Sequence, residues 1–453
     1  MRNPNNSPLP TLRQAQDAAA HPSSGSGHHR LLPTALIQTL GCKVNRYDSD
    51  QLALEFSRCG FAPVANHHAL DRDPDVVIIN TCCVTTESER KSRQLIRRFA
   101  RRYPSARIIV TGCAAVLDLD GLAGMPEVNE VCSIVHQREL ALRVAHDFGL
   151  AEKPEPVPEM PHDRTRAFVK VQEGCDLFCS YCSIPYSRGE PRSRAIEEVR
   201  GEITHLLENG FREVVLCGTR LGAYGRDIGT TLVQLLENLC SIEKIDRLRL
   251  SSLEPEDLDP VLVDLISAEE TVCPHLHLPL QSGSDRILEQ MGRGYRRSDY
   301  LRNVELAYER IRDLCISTDI MVGFPGETDE DFADTLAMVE QCRFSKVHSF
   351  PFSPRPKTPA ADLPSKVPHA VSKQRRIALD RIALNKAEEV RSTFIGRKMP
   401  VLVETCEDGF GTGLTPNYLR VRFPLVSGLL SNTVVLVTLE KAEGLRMSGT
   451  IAE

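Results

Sequence analysis

The sequence predicts an α/β protein built in three parts: a parallel α/β (Rossmann-like) domain, a partial (β/α)6 barrel and a small antiparallel β-barrel. Three observations carry this. Short apolar runs alternate with helical periodicity from residue 34 and again from residue 167, the pattern of parallel strands joined by helical crossovers. The two series are separated by AEKPEPVPEMPHD at 151–163, whose four prolines and four acids mark a linker. Beyond residue 399 the pattern changes to short strand-like runs with Gly-rich turns, which suggests an OB-like barrel.

The 453 residues are 41% apolar and 26% charged, which is ordinary globular usage and excludes disorder throughout. No apolar run approaches the ~18–20 residues of a membrane span, so no membrane partner is expected. Residues 1–33 are rich in Pro, Ser, Asn, Gly and His and read as a disordered tail. Only Arg2, Arg13 and Arg30 oppose Asp17 there, a poor transit peptide, and a bacterial cytoplasmic location is expected.

Within residues 34–150, ALIQTLGC reads as a strand entering a turn, 48–59 as a helix, VVIIN (76–80) as a buried strand, 87–103 as a helix and RIIVTGC (107–113) as a strand. Within 164–395, strands are expected at AFVKVQ (167–172), EVVLCG (213–218), LRLSSL (248–253), HLHLPL (275–280), STDIMVGFPG (317–326) and KVHSFPF (346–352), with a helix at 194–209 and a long one at 372–395. Six such strands suggest an open barrel whose function lies on the loops after the strands. Within 396–453, MPVLVE, YLRVRF and VVLVTL supply strands.

The first barrel strand leads into EGCDLFCSYCSIP. Cys175, Cys179 and Cys182 stand there as C-x3-C-x2-C, three thiols within eight residues. Thiolates select iron–sulfur clusters and zinc. A closed site wants four ligands, so a cubane held by three keeps one iron open to a small molecule. The alternative is a structural zinc completed by a distant residue. Phe178 and Tyr181 between the ligands suit the dry wall of a cluster loop. Fifteen cysteines, an odd number without a secretory signal, favour metal or redox roles over disulfides. Cys217, Cys240, Cys273, Cys315 and Cys342 have no ligand spacing and read as small buried hydrophobes.

Cys42, Cys82 and Cys113 each end a strand of the first series. Parallel strand ends converge on one sheet edge, so the three can form a second metal site or remain unrelated buried thiols. Gly41 and Gly112 precede two of them and permit tight turns.

TLGCKVN, NTC, VTGC and the C-x3-C-x2-C run, followed by a C-terminal barrel, resemble the methylthiotransferases of the radical S-adenosylmethionine (SAM) superfamily over roughly residues 34–450. HLPLQSGSD (277–285), SSLEP (251–255) and GFPGET (323–328) match the family's motifs. FPFSPRPKTPA (350–360) departs, with Phe352 for Tyr and Lys357 for Gly. The resemblance implies a radical SAM barrel, a C-terminal TRAM RNA-binding domain and two [4Fe–4S] clusters. One, on Cys175, Cys179 and Cys182, reduces SAM to a 5′-deoxyadenosyl radical. The other, on Cys42, Cys82 and Cys113, presents a sulfur that a second SAM methylates. Cys83 adjoins Cys82 and departs from the pattern, but Asn80 and Thr81 keep Cys82 in register.

SAM would be met at the barrel edge by Gly218, Ser252, Gln281 and Gly323, each otherwise an ordinary turn residue. Glu254 would bond the ribose or cap the next helix. Among the family's branches, GCKVN and RKSRQ resemble the one acting on N6-threonylcarbamoyladenosine at tRNA position 37. The others act on isopentenyladenosine-37 or on an aspartate of a ribosomal protein. An RNA-binding protein with purely structural clusters is the reading of another class. Arg293 and Arg355 are candidates for the threonylcarbamoyl carboxylate. A flavodoxin or ferredoxin is the expected electron donor.

A net charge of −6 excludes a generic polyanion binder. RNA contact therefore needs a local patch. RKSRQLIRRFARR (90–102) carries seven Lys/Arg and no acid, with Leu95, Ile96, Phe99 and Tyr103 on one face. Arg90, Lys91, Arg93, Arg97 and Arg98 are thus phosphate candidates, or a solvated helix face. From 396 to 453 six basic residues balance six acidic ones, leaving Tyr418 as a stacking candidate with Arg420 and Arg422.

Overall fold

The structure, a computed structural model, describes residues 32–65, 70, 72–150 and 164–452. Most of the tail expected at 1–33 and the whole linker expected at 151–163 lie outside the described residues.

Five parallel strands form the first sheet: β1 (Thr34–Thr39), β2 (Ala62–Val64), β3 (Val76–Thr81), β4 (Arg107–Gly112) and β5 (Glu130–Val131). Their order is β2-β1-β3-β4-β5. Alternate residues serve opposite faces. Ala35, Ile37, Val76 and Ile78 pack on Leu52 and Phe56 of helix Lys43–Arg58 and on Leu140 and Val144 of helix Gln137–Asp147. Leu36, Val77 and Ile79 meet Ile96 and Phe99 of helix Thr86–Arg102 on the other side. Each fully buried side chain of this size contributes about 1.5–3 kcal/mol. Helix Lys43–Arg58 starts five residues before the expected 48, directly on Cys42. Its first two turns carry the polar Asn45 and Asp48, which are buried against partners far away in sequence.

The second part holds β6 (Arg166–Glu173), β7 (Arg192–Ser193), β8 (Glu213–Gly218), β9 (Arg247–Leu250), β10 (His275–His277), β11 (Cys315–Val322) and β12 (Lys346–Pro351). They form sheets β7-β6-β8-β9 and β10-β11-β12. Parallel bridges Leu248–Val272 and Ser252–His277 join the two, giving the six-stranded open barrel expected. Strand β7 is an unforeseen two-residue antiparallel edge. One face of each strand packs on helices, as Val169 and Val171 do on Val199 and Ile203. The other face is the lumen, and it is polar: Lys170, Arg249, His277, Ser317, Asp319 and Lys346 stand there by strand alternation.

The third part is a closed barrel of β13 (Lys398–Glu407), β14 (Phe410–Leu414), β15 (Arg420–Pro424), β16 (Val434–Glu443) and β17 (Arg446–Ile451). Strands β14 and β17 were not legible in the sequence, and β15 pairs with β17 in parallel, so the barrel is not wholly antiparallel. It seats against the first ends of the six-stranded barrel's strands. Arg247 donates to the carbonyls of Leu414 (2.8 Å) and Pro400 (2.7 Å), and Arg249 to that of Pro416 (2.7 Å).

Candidate active site

Cys42, Cys82 and Cys113 follow β1, β3 and β4 and meet at one edge of the first sheet. Gly112 makes this approach possible. It has φ +98°, and a Cβ there would lie 2.4 Å from Asn80 Oδ1 and from the Thr81 carbonyl. Asn45 ties the edge together. Its Oδ1 accepts from the thiols of Cys42 (3.6 Å) and Cys113 (3.7 Å), and its Nδ2 donates to the Leu40 and Thr81 carbonyls. Arg188, from helix Ile184–Arg188, reaches in from the barrel. Its Nε donates to Cys113 Sγ at 3.2 Å, and its Nη atoms donate to Asn45, Asp48 and Glu173. Burial pushes the Cys82 thiol up to about 11, and Cys42 is raised by the same cause. Cys83 is fully buried between Ser183 Oγ (3.4 Å) and Cys113, with which it hydrogen-bonds. Cys82 feels both Cys42 and Cys113. Sequence reasoning missed Asn45 and Arg188; their signals are GCKVN itself and a lone Arg six residues after Cys182.

The second triad repeats the arrangement. Cys175, Cys179 and Cys182 lie on the loop after β6, where the Cys182 amide donates to the Cys179 carbonyl. Arg293 Nη1 stands 3.5 Å from Cys179 Sγ while its other nitrogens hold Glu254 and Tyr295. Burial raises Cys175 to about 11 and Cys182 to about 12. Tyr181 packs with Met291, Met321 and Phe324 as a shielding wall should. Phe178 does not: it is exposed, with its ring edge on Tyr186.

Each triad is therefore three thiols with one buried guanidinium donating to a sulfur, which suits a thiolate-held cluster whose charge must be offset. No three metal-binding side chains among the described residues close on a single ion. A cubane does not ask for that, since each iron takes its own thiolate. Gln281 sits on the lumen edge with φ +62°, and its buried Oε1 has no partner; neither has Ser251 Oγ. Such orphaned groups fit a polar ligand such as SAM.

The remaining candidates are placed as follows. Ser252 lies at the bridge between the two sheets, half-buried. Gly218 ends β8 against the Gln172 side chain. Gly323 is buried, and a Cβ there would lie 2.1 Å from Ser372 Oγ, because helix His369–Ser392 crosses it. Glu254 begins the Pro255–Asp257 turn without capping it through its side chain, which pairs with Arg293. The side chains of Arg293 and Arg355 are both buried and already ion-paired, Arg293 with Glu254 and Arg355 with Glu89, although Arg355 Nε has no partner.

On helix Thr86–Arg102, Arg90 and Lys91 pair with Glu87, Arg93 with Asp118 and Arg97 with Glu127, while Arg98 is exposed. Tyr418 is not a free stacking platform. It lies on His275 (centroids 4.6 Å apart) under Arg249 (4.7 Å), with Arg166 Nη1 on its hydroxyl (3.3 Å). Burial raises its phenol, but Arg166, Lys43 and Arg249 more than offset this and lower it. Arg420 is half-exposed and pairs with Glu404 (3.2 Å), and Arg422 covers Phe410.

A six-stranded open barrel with a three-thiol loop after its first strand defines a radical SAM enzyme, and residues 169–339 match the Radical SAM superfamily. Residues 34–133 match the family described as Uncharacterized protein family UPF0004. The threonylcarbamoyladenosine tRNA methylthiotransferase MtaB of Chlamydia pneumoniae is 37% identical over 419 residues, 92% of this chain and 98% of that protein. Its Thermotoga maritima namesake is 38% identical, covering 82% and 87%. The tRNA-2-methylthio-N(6)-dimethylallyladenosine synthase of Pelotomaculum thermopropionicum is 35% identical, covering 92% and 97%. The radical SAM methyltransferase TsrM from Kitasatospora setae, solved with cobalamin and a [4Fe–4S] cluster, shares the fold at 16% identity (TM-score 0.55, covering 73% of this chain and 74% of that one). The chain belongs to the radical SAM methylthiotransferase family, and it is a transferase that uses SAM and [4Fe–4S] clusters. Among the described residues no helix is long and apolar enough to cross a membrane.

Proposed function

We propose that this protein is a tRNA methylthiotransferase of the bacterial cytoplasm, converting N6-threonylcarbamoyladenosine at position 37 to its 2-methylthio derivative. The observation that carries the reading is the pair of thiol triads linked through one short helix: Ile184–Arg188 leaves the Cys182 loop and sets Arg188 on Cys113. Cys175, Cys179 and Cys182 would hold the cluster that binds SAM, and Cys42, Cys82 and Cys113 the second. When bound, these groups supply hydrogen-atom abstraction and the sulfur to be transferred.

The chain's own residues do the rest. Arg293 and Arg188 hold negative charge at a thiol of each triad. Gln281 Oε1 and Ser251 Oγ, both unpartnered, offer polar contacts to SAM. Burial of Tyr181 and its neighbours keeps water from the loop. Arg98, with Arg90, Lys91 and Arg97, would meet phosphates of the anticodon arm, and affinity should fall with salt. An unpaired loop base leaves its stack at modest cost. The donor of electrons would be a flavodoxin or ferredoxin.

Relatives named for threonylcarbamoyladenosine support this substrate. Relatives named for dimethylallyladenosine support the second reading. Nucleoside mass spectrometry of tRNA from cells lacking the protein separates them. Loss of methylthio-threonylcarbamoyladenosine with accumulation of its precursor is expected. Loss of the isopentenyl-type product alone would favour the second reading, and an unchanged profile would remove both.

A further inference from the structure

We propose that Lys43 and Lys346 form a receptor in the barrel lumen for the carboxylate of the substrate's N6 substituent. This rests on the substrate reading above. The lumen is rich in cations, and nearly all are answered by acids. Lys170 is held by Asp48 (2.7 Å) and Glu173 (3.1 Å), Arg166 by Glu404 (2.9 Å) and Arg249 by Glu213 (2.7 Å). Lys43 and Lys346 are different. Among the described residues neither ammonium makes an ion pair or hydrogen bond, although both are half-buried.

The two come from opposite sides. Lys43 opens helix Lys43–Arg58, whose Val44 and Tyr47 pack with Phe168 and Cys217 of β6 and β8. Its charge acts on Tyr418, Arg249 and Cys217, and on His275 and His348 across the lumen. Lys346 stands on β12 beside Ser317 of β11, and its charge acts on the same His275 and His348. Between them lies a polar row: His277 bonds Ser317 Oγ (2.9 Å), pairs with Asp319 (3.3 Å) and faces the His348 ring at 5.9 Å. His275 Nδ1 is buried without a partner. Asp319 meets His277 rather than either lysine, so no carboxylate among the described residues stands within ion-pair distance of the two half-buried ammoniums. An anion brought by a ligand supplies the counter-charge.

Carboxylate is the matching chemistry. Adenine N1 is flanked by C2 and by C6, which carries N6, so a group on N6 lies on the same edge of the base as the carbon that is to be modified. Lys43 directly follows Cys42 in the chain, and both residues act on the same Cys217 of β8. A neutral hydrocarbon substituent would leave both ammoniums unpaired, which turns them into a filter for acidic substituents.

The test uses reconstituted holoenzyme and anticodon stem-loop RNA bearing threonylcarbamoyladenosine as the free acid or as its methyl ester. The ester should bind wild type about tenfold or more weakly than the acid, the loss expected for one charge-assisted hydrogen bond. Lys43→Met and Lys346→Met should each shrink that ratio towards one, and Lys43→Arg should restore part of it. Equal binding of acid and ester to wild type, or a ratio unchanged in both Met variants, overturns the proposal. Should Lys43→Met lose iron, Lys346→Met and the wild-type ratio still decide. If the acid is thiolated while the lysines prove indifferent, only the receptor falls. If only isopentenyladenosine RNA is thiolated, the substrate reading falls and the receptor with it.

Discussion

The Nε of Arg188 donates to the Sγ of Cys113 at 3.2 Å, across 75 residues of sequence. The same guanidinium bonds Asn45 Oδ1 at 2.8 Å, the atom on which the thiols of Cys42 and Cys113 converge. With Asp48 it makes an ion pair in which both side chains are 2% exposed. Arg188→Ala would leave Asp48 buried with only Lys170 to answer it. A loss of about 3–5 kcal/mol is expected in denaturant unfolding of the apoprotein. Arg188→Lys should recover little, since an ammonium cannot reproduce the fork. A change below about 1 kcal/mol for Ala would contradict this account.

Tyr418 joins two barrels rather than awaiting a base. Tyr418→Ala should cost about 2–4 kcal/mol and expose the last strands to limited proteolysis. Tyr418→Phe keeps the ring and loses only the hydroxyl bond to Arg166, so RNA affinity should change less than twofold. A large drop in RNA binding for Phe, without instability, would return the residue to the interface.

Gly323 carries two separable demands, a φ of +75° and a Cβ-free approach by Ser372. Gly323→Ala should destabilise by about 2–4 kcal/mol. Adding Ser372→Gly should recover the overlap part and leave the backbone part. No recovery in the double variant would mean that sterics at Ser372 are irrelevant.

Burial raises the thiols of Cys273 to about 11 and of Cys315 and Cys342 to about 12. An ordinary thiol titrates near ~8.5. The folded chain therefore keeps protons that the unfolded chain gives up. The stability contributed is fully present below pH ~8.5 and is lost as pH rises towards 11–12. Unfolding midpoints should fall steadily over that window, and Cys315→Ala should flatten the slope. Rapid alkylation of these three thiols in native protein at pH 8 would show that they are not sequestered.

Much of this was legible in the sequence, for physical reasons. VVIIN and RIIVTG are buried on both faces, so they read as parallel strands without ambiguity, and the cysteines that end them follow. The thiol loop declares itself by spacing. What failed were features fixed by distant partners. The start of helix Lys43–Arg58 was hidden because Asn45 and Asp48 look like loop residues until Arg188 is brought to them. Strand β14 reads FGTGL, whose glycines suggest a turn, although Gly411 is there to admit the Phe423 ring. Tyr418, Arg293 and Arg355 looked like free recognition groups because a sequence shows a side chain's chemistry and not whether it is already engaged.

The terminal barrel's seat has a consequence for how such chains are assembled over evolutionary time. Arg247 and Arg249 end on its carbonyls, and Tyr418 fills the space between them and His275. A module so fastened is no interchangeable cassette. Grafted onto another enzyme it would arrive without its arginines, and the enzyme it left would be uncorked at the foot of its reaction chamber.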